Sequence, residues 1–130
     1  MTLRFTCQGQ PLGKPRMTRR DKWAKRACVT KYWRWCDDLR GSAQLKQKLQ
    51  LDTPHKLSIC AYFQIPRSWT ARQLVHLGGT YHTVAPDWDN VAKAVMDALI
   101  ENDAVVSFGR TCKLWDDGNG PRVEVILEEL

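Results

Sequence analysis

Acidic side chains concentrate in one short stretch of the sequence, residues 86–103, together with a lysine. Placed on a helix at about 100° per residue, its polar residues fall within an arc of roughly 100°. These polar residues are Asp89, Asn90, Lys93 and Asp97. The opposite side holds Val91, Val95, Ala98 and Leu99. The pattern predicts an amphipathic helix from about residue 88 to residue 101, because Pro86 favours an extended residue before it and Asp87 or Asp89 can cap the first turn.

Clustered carboxylates raise one another's pKa, which costs stability unless a cation neutralises them. Mg²⁺ suits such a cluster because it prefers hard oxygen ligands and keeps several waters, and Mn²⁺ is a reasonable substitute. The candidate ligands are Asp87, Asp89 and Asp103. A metal held there can activate water and stabilise charge on a phosphate during displacement. Lys93 would offset the remaining negative charge or contact the phosphate.

The same residues also have ordinary structural explanations. An Asp near a helix start is a common cap, and Asp89 with Lys93 four residues later is a usual helical ion pair. Asp97 could simply flank Lys93 on a solvated face. The stretch taken alone leaves both interpretations open.

Charge is divided unevenly along the chain, although the formal net charge is only +6. Residues 1–72 hold 16 Lys and Arg against 4 Asp and Glu, whereas residues 73–130 hold 4 against 10. A basic half attracts polyanions and an acidic half can hold a cation, as a metal-dependent enzyme acting on nucleic acid would need. A solvated basic face without a partner is the alternative.

The most basic part of the chain is a predicted loop at about residues 9–29, where Gly and Pro oppose regular structure. Residues 14–34 contain nine Lys and Arg and one acid, with Trp23, Tyr32, Trp33 and the following Trp35 interleaved. Such a mixture can neutralise phosphates and stack on bases. The candidate DNA-binding residues are Lys14, Arg16, Arg19 and Arg20. Core packing is the alternative for the aromatic residues, and helical spacing favours it for Trp33.

Length and composition favour one domain, residues 1–130, with a core that needs no staples. An apolar content of 43% without any 18-residue apolar run excludes a membrane span, and the N-terminus lacks a secretory signal. We therefore expect an intracellular, cytoplasmic protein. Five Cys without a Cys-x-x-Cys pair do not resemble a disulfide framework, and we expect mostly buried thiols. His76 and His82 alone are weak evidence for zinc.

Alternating patterns predict strands at residues 3–8, 56–65, 104–115 and 122–129, with the second strand central and the last two forming a hairpin. Helices are predicted at about 31–50, after a Thr30 cap, and at 68–77, opened by Ser68. A kink or split of the first helix at Gly41-Ser42 stays open. Asp116 and Asp117 belong to a turn, because they precede Gly and Asn. The fold class is α/β (α+β): a small mixed sheet of about four strands flanked by two main helices.

The acidic stretch resembles the signature of RusA-type crossover-junction endodeoxyribonucleases, which are common in phages and prophages. The residues that resemble it are His82-Thr83, Pro86-Asp87-Trp88-Asp89-Asn90, Lys93, Asp97-Ala98-Leu99 and Asp103 with Val105-Val106. The loop at residues 13–18 is similar to the basic loop after the first strand in phage members. The resemblance touches most of the chain, but only the block from residue 86 to residue 103 is specific.

The resemblance implies a small α/β homodimer that binds four-way (Holliday) DNA junctions and cuts paired strands with Mg²⁺ during recombination and repair. It implies that Asp87, Asp89 and Asp103 bind metal and that Lys93 is essential, with Asp97, His82 and Asn90 as weaker candidates. The expected setting is the cytoplasm of a bacterium or of a phage-infected host.

Two residues depart from the pattern of the family. Many members have Lys where this chain has Ala85, and many have two adjacent acids where this chain has Asn102 and Asp103. A phosphate contact and the full set of metal ligands therefore stay open. The alternative function is a non-catalytic nucleic-acid-binding module in which the carboxylates are caps and ion pairs.

Overall fold

A computed structural model describes residues 1–16 and 26–130, and within them a four-stranded mixed sheet forms the centre of the protein. The strands are β1 (Thr2–Gln8), β2 (His55–Phe63), β3 (Val106–Trp115) and β4 (Arg122–Glu129). Their order is β1-β4-β2-β3; β4 is antiparallel to both β1 and β2, and β3 is parallel to β2. The predicted fold class and the central position of β2 are confirmed.

The predicted hairpin between the last two strands is wrong, because β2 lies between β3 and β4. The turn residues themselves behave as predicted. Asp116 accepts hydrogen bonds from the N–H groups of Gly118 and Gly120, and Asp117 accepts one from Asn119. The turn reverses the chain, but its six residues from 116 to 121 also carry the chain across one intervening strand. Two strand spacings are only about 10 Å, which a segment of that length can span.

The helices are α1 (Ala27–Ser42), α2 (Ala71–Leu77) and α3 (Trp88–Leu99), followed by a 3₁₀ turn at Asp103–Val105. One face of α3 is buried, as predicted, and packs with α1 and the sheet in a common core. The strands contribute the inward side chains of the alternating patterns to this core. These are Phe5 and Cys7, then Leu57, Ile59, Ala61 and Phe63, and finally Val123, Val125 and Leu127.

The first helix differs from its prediction at both ends. It begins at Ala27 without a side-chain cap and ends at Ser42, so neither Thr30 nor residue 50 marks a boundary. The end coincides with the Gly41-Ser42 break that the sequence left open. The buried face consists of Val29, Tyr32, Trp35, Cys36 and Leu39. Trp33 lies one position off this face and is 52% exposed, so its predicted role in the core is wrong.

Smaller predictions met mixed outcomes. Thr70, rather than Ser68, caps α2, by a reciprocal pair of hydrogen bonds with Gln73. Among the five free thiols Cys7 and Cys36 are buried, Cys60 and Cys112 are half-buried and Cys28 is exposed. In the two described ranges no helix has the length and apolar character that spanning a membrane would require.

Candidate active site

The carboxylates of Asp87 and Asp89 lie at the start of α3 and, among the residues that the structure describes, have no protein partner. Asp87 occupies the N-cap position but accepts no capping hydrogen bond with its side chain, and Asp89 lies in the first turn. Within residues 1–16 and 26–130 neither side chain forms a hydrogen bond or an ion pair. Neither helix capping nor the predicted ion pair between Asp89 and Lys93 is formed, so neither explains the presence of these two acids.

Lys93 instead binds two other acids. Its Nζ lies 2.6 Å from Oδ2 of Asp103 and 3.6 Å from Oδ1 of Asp97. The hydrogen bond to Asp103 raises the pKa of Lys93, with a further contribution from the charge of Asp97. The same bond lowers the pKa of Asp103. Both groups are thereby held in their charged forms at neutral pH.

Asp97 connects three parts of the protein beneath this site. It lies 2.6 Å from Nζ of Lys14 in the loop after β1, and the hydroxyl of Tyr32 on α1 donates to it at 3.5 Å. With Lys93, these contacts form a chain of alternating charges from the loop to Asp103. Asp97 therefore acts in the structure as a junction of α1, α3 and the loop.

The described part of the basic loop packs against the start of α3. The N–H of Lys14 donates to the carbonyl of Asn90 at 3.4 Å. A Cβ added to Gly13 would lie 2.7 Å from Cβ of Pro86, closer than real Cβ contacts come, so this close approach requires glycine. The side chain of Arg16 is exposed, whereas Arg19 and Arg20 lie outside the described residues. The DNA-binding role of all four basic residues stays a prediction.

A cavity of about 760 Å³ opens between the start of α3 and the edge strand β3. Asp87, Trp88 and Asp89 line it from the helix, and Arg110 and Lys113 line it from the strand. Asp103 lines a smaller neighbouring cavity instead, and both cavities share Trp88 and Arg110. The unpaired acids thus lie beside cationic side chains in one open cleft.

His82 forms part of the wall of the larger cavity. Its ring stacks on Phe63 at a centroid distance of 4.1 Å and meets the edge of Trp115 at 4.4 Å. Burial, helped by the charge of Lys113, lowers the pKa of His82 to about 4, so the imidazole is neutral at pH 7. Its Nδ1 is buried and has no hydrogen-bond partner in the described part of the chain.

Two residues of the site, Asp87 and Asp89, have the donor chemistry that suits Mg²⁺. Mg²⁺ is commonly held by one or two carboxylates plus substrate phosphates, and Asp87 and Asp89 provide two unpaired carboxylates beside an open cleft. The described residues contain no group of three or more His, Cys, Asp or Glu arranged to hold a metal ion. The carboxylate of Asp103 is bound by Lys93. The full ligand set of Asp87, Asp89 and Asp103 therefore stays a prediction.

The sequence did not single out several side chains of the cleft, among them Tyr81, Trp88, Arg110 and Lys113. Trp88 lies three residues before the buried Val91, which is the spacing of a core residue, so periodicity could not show that it is exposed. Tyr81 reaches the cleft because it bridges to Leu114 of β3, and Arg110 reaches it from β3 itself. Only the unusual Asp-Trp-Asp order could have drawn attention to Trp88.

Residues 8–128 of the 130-residue chain match the family described as endodeoxyribonuclease RusA. The chain belongs to this family, and the resemblance found in the sequence is confirmed. Membership supports nuclease activity on DNA, and for this family the DNA is a branched junction. No individual curated protein matches the chain.

Proposed function

We propose that this protein is a Mg²⁺-dependent endonuclease that resolves four-way DNA junctions by paired strand cuts in recombination and repair. The observation that carries the proposal is the contrast between two pairs of acids. Asp97 and Asp103 are bound by lysines, whereas Asp87 and Asp89 face an open cleft without a protein partner in the described ranges. Unpaired neighbouring carboxylates repel each other, and a divalent cation removes that cost.

In this proposal Asp87 and Asp89 supply oxygen ligands for Mg²⁺, which when bound lowers the pKa of water and offsets charge on the scissile phosphate. Asp103 is the third candidate ligand, although Lys93 binds its carboxylate in the structure. Lys93 keeps positive charge beside the acids and orients Asp103. Asp97 and Lys14 fix the basic loop next to the start of α3.

Paired cuts require two sites, and we propose that a homodimer supplies them. A two-fold dimer presents the same residues to two opposed strands, which matches the symmetry of a four-way junction. Sedimentation equilibrium at micromolar concentration measures the mass directly. The expected result is twice 15.0 kDa, and a monomer at that concentration would remove this part of the proposal.

The activity is tested with an end-labelled four-way junction and Mg²⁺. The wild-type protein should cut the junction at symmetric positions, and Asp89→Asn should abolish cutting. Junction binding by Asp89→Asn should be unchanged or tighter, because less negative charge faces the DNA. Asp52→Asn, which changes an exposed acid outside the cleft, is the matched control and should cut normally. Absence of cutting by the wild-type protein at every salt concentration would refute the proposal.

A second candidate function is a nucleic-acid-binding module without catalysis. The observation that favours it is the Lys93–Asp103 ion pair, together with the absence of a three-acid metal group from the described residues. Under this alternative Asp89→Asn changes little, since no metal depends on it. The same junction experiment therefore separates the two functions.

A further inference from the structure

Two large aromatic side chains line the cleft and remain exposed. Trp88 is 61% exposed and Tyr81 is 74% exposed. They come from different segments: Trp88 begins α3, and Tyr81 precedes it by seven residues. Neither a metal site nor the core explains them, and grouped apolar exposure commonly marks a surface that binds something.

The segment that carries Tyr81 is fixed to the sheet. Its neighbours bond to the end of β3, where the N–H of His82 donates to the carbonyl of Lys113 at 2.9 Å and the N–H of Trp115 donates to the carbonyl of Thr80 at 2.8 Å. The Nζ of Lys113 also donates to the carbonyl of Val84 at 2.7 Å. The backbone on both sides of Tyr81 is therefore held in place, so the cleft presents its aromatic side chain from a fixed position.

The wall behind these two residues is aromatic around His82, and Lys113 also lines it. His82 is only 9% exposed and packs between Phe63 and Trp115, and Trp115 in turn meets Trp69 at 4.8 Å. The buried Nδ1 of His82 has no hydrogen-bond partner among residues 1–16 and 26–130. A flat group entering the cleft would thus meet aromatic surface and one neutral imidazole.

A cation lies at the border of the same cleft. The guanidinium of Arg110 is exposed, and among the residues that the structure describes it takes part in no hydrogen bond or ion pair. Arg is suited to a phosphate because its planar fork can donate two parallel hydrogen bonds. Asp87 and Asp89 lie on the helix side of the cleft, which Arg110 lines from the strand.

We propose that this cleft binds one unpaired nucleotide of the DNA, its base stacking on Trp88 and Tyr81 and its phosphate binding Arg110. This inference rests on the proposed function, since it assumes that the substrate is branched DNA. Bases at a branch point unstack at lower cost than bases inside a duplex, and stacking on an aromatic side chain is worth about 1–3 kcal/mol per base. The volume of the open cleft, about 760 Å³, falls within the roughly 300–1,000 Å³ that is usual for small-ligand sites. The cleft would thereby position the strand next to the acids.

The test measures binding of the full-length protein to four-way junctions in Ca²⁺ without Mg²⁺, so that a defect in cutting does not enter. Each junction carries a single abasic residue at one of the positions within three nucleotides of the branch point. For the wild-type protein, removal of the base at one position should weaken binding about 5- to 100-fold. For Trp88→Leu, the intact and abasic junctions should bind alike, because the base has lost its stacking surface.

Two further variants, Trp88→Phe and Tyr81→Leu, distinguish loss of stacking from a folding defect in Trp88→Leu. Trp88→Phe keeps an aromatic face and should retain most of the difference in affinity between the intact and abasic junctions. Tyr81→Leu should reduce that difference. Phe108→Ala is the matched control, since Phe108 is an exposed aromatic residue of β3 outside the cleft, and it should behave as the wild type.

Three outcomes would overturn this inference: no abasic position weakens wild-type binding, the discrimination persists in Trp88→Leu, or Trp88→Leu instead dissociates a dimer. If the intact junction binds and is cut in Mg²⁺ while no abasic position matters, only the nucleotide subsite fails. If the wild-type protein neither binds nor cuts the intact junction, the proposed function fails as well.

Discussion

At the scale of single residues, the acids of the region from 86 to 103 fall into two groups that their sequence does not distinguish. Asp97 and Asp103 are neutralised by lysines, whereas Asp87 and Asp89 have no cationic partner within residues 1–16 and 26–130. A carboxylate without a partner beside an open cleft is available for a cation, whereas a paired one must first lose its partner. The chemical assignment therefore depends most on Asp87 and Asp89.

A prediction at the same scale concerns Gly13, which lets the basic loop approach α3. Gly13→Ala should destabilise the protein by about 1–3 kcal/mol, because the added methyl group would overlap Pro86. Urea unfolding measures the change. Gly41→Ala is the control: nothing lies within 4 Å of its added Cβ, and within α1 it should stabilise by about 0.5–1 kcal/mol. Equal effects at both positions would contradict the close packing of the loop.

At the scale of elements, the segment that follows α2 holds one wall of the cleft against the edge of β3. His82 is its buried anchor, surrounded by Phe63 and Trp115, with the Lys113 ammonium as the nearby charge. The neutral form of the imidazole is the one that fits this environment. Protonation of His82 should therefore loosen the wall.

The pKa of His82 predicts a pH dependence of stability. The folded value of about 4 lies below the usual 6.5, so the unfolded chain binds more protons between these values. The contribution of neutral His82 to the free energy of unfolding is complete above about pH 6.5. It is lost as the pH falls towards 4, an effect on the order of 2 kcal/mol. Urea unfolding at pH 7 and pH 4.5 should show this loss in the wild type.

His82→Gln should reduce the loss between the two pH values, whereas His76→Gln should not, because His76 is exposed on α2. Asp117 does not affect the comparison. Its hydrogen bond with Arg122 lowers the pKa of Asp117 to about 2, so its stabilising effect is present at both pH values and is lost only in stronger acid. An unchanged pH dependence in His82→Gln would contradict the assignment.

Some elements of the fold could be predicted from the sequence and others could not. Strand β4 occupies the predicted residues because its alternating pattern, which only Ile126 interrupts, follows directly after a Gly-Pro turn. Helix α1 begins four residues earlier than predicted, since Arg26 at its N-cap makes no side-chain cap and so leaves no local signal. The pairing of β3 with β2 could not be predicted, because turn residues specify a reversal and not the neighbour.

The candidate site was predictable only where one local segment supplies it. Asp87, Asp89 and Lys93 lie within seven residues, so their spacing alone placed them together. The Lys14–Asp97 contact joins residues far apart in sequence and follows from the packing of the loop on α3. The contribution of Arg110 depends on the parallel placement of β3, which periodicity does not encode.

At the scale of the whole molecule, the basic half and the acidic half meet at the start of α3. The loop after β1 reaches this point through Gly13 and Lys14. Positive charge therefore lies next to the acids that we assign to the cation. DNA held by the basic residues would place a phosphate near those acids.

The salt dependence of junction binding tests this arrangement. Arg16→Ala, and likewise Arg19→Ala and Arg20→Ala, should weaken binding several-fold and reduce the slope of log K against log salt by about 1. Lys14→Ala should reduce the slope less, because Asp97 already neutralises its ammonium at 2.6 Å. Lys46→Ala, an exposed lysine elsewhere, is the control. Unchanged slopes for all four variants would contradict the DNA-binding assignment.

Titration of Mn²⁺ into the protein, followed by electron paramagnetic resonance of the free ion, tests the central assignment most directly. The wild-type protein should remove Mn²⁺ from solution at a site that Asp87→Asn and Asp89→Asn each weaken at least about tenfold, since each variant removes a charged oxygen ligand. Asp52→Asn should bind as the wild type does. Equal Mn²⁺ binding by the wild type and Asp89→Asn would contradict the assignment of these two carboxylates to the metal.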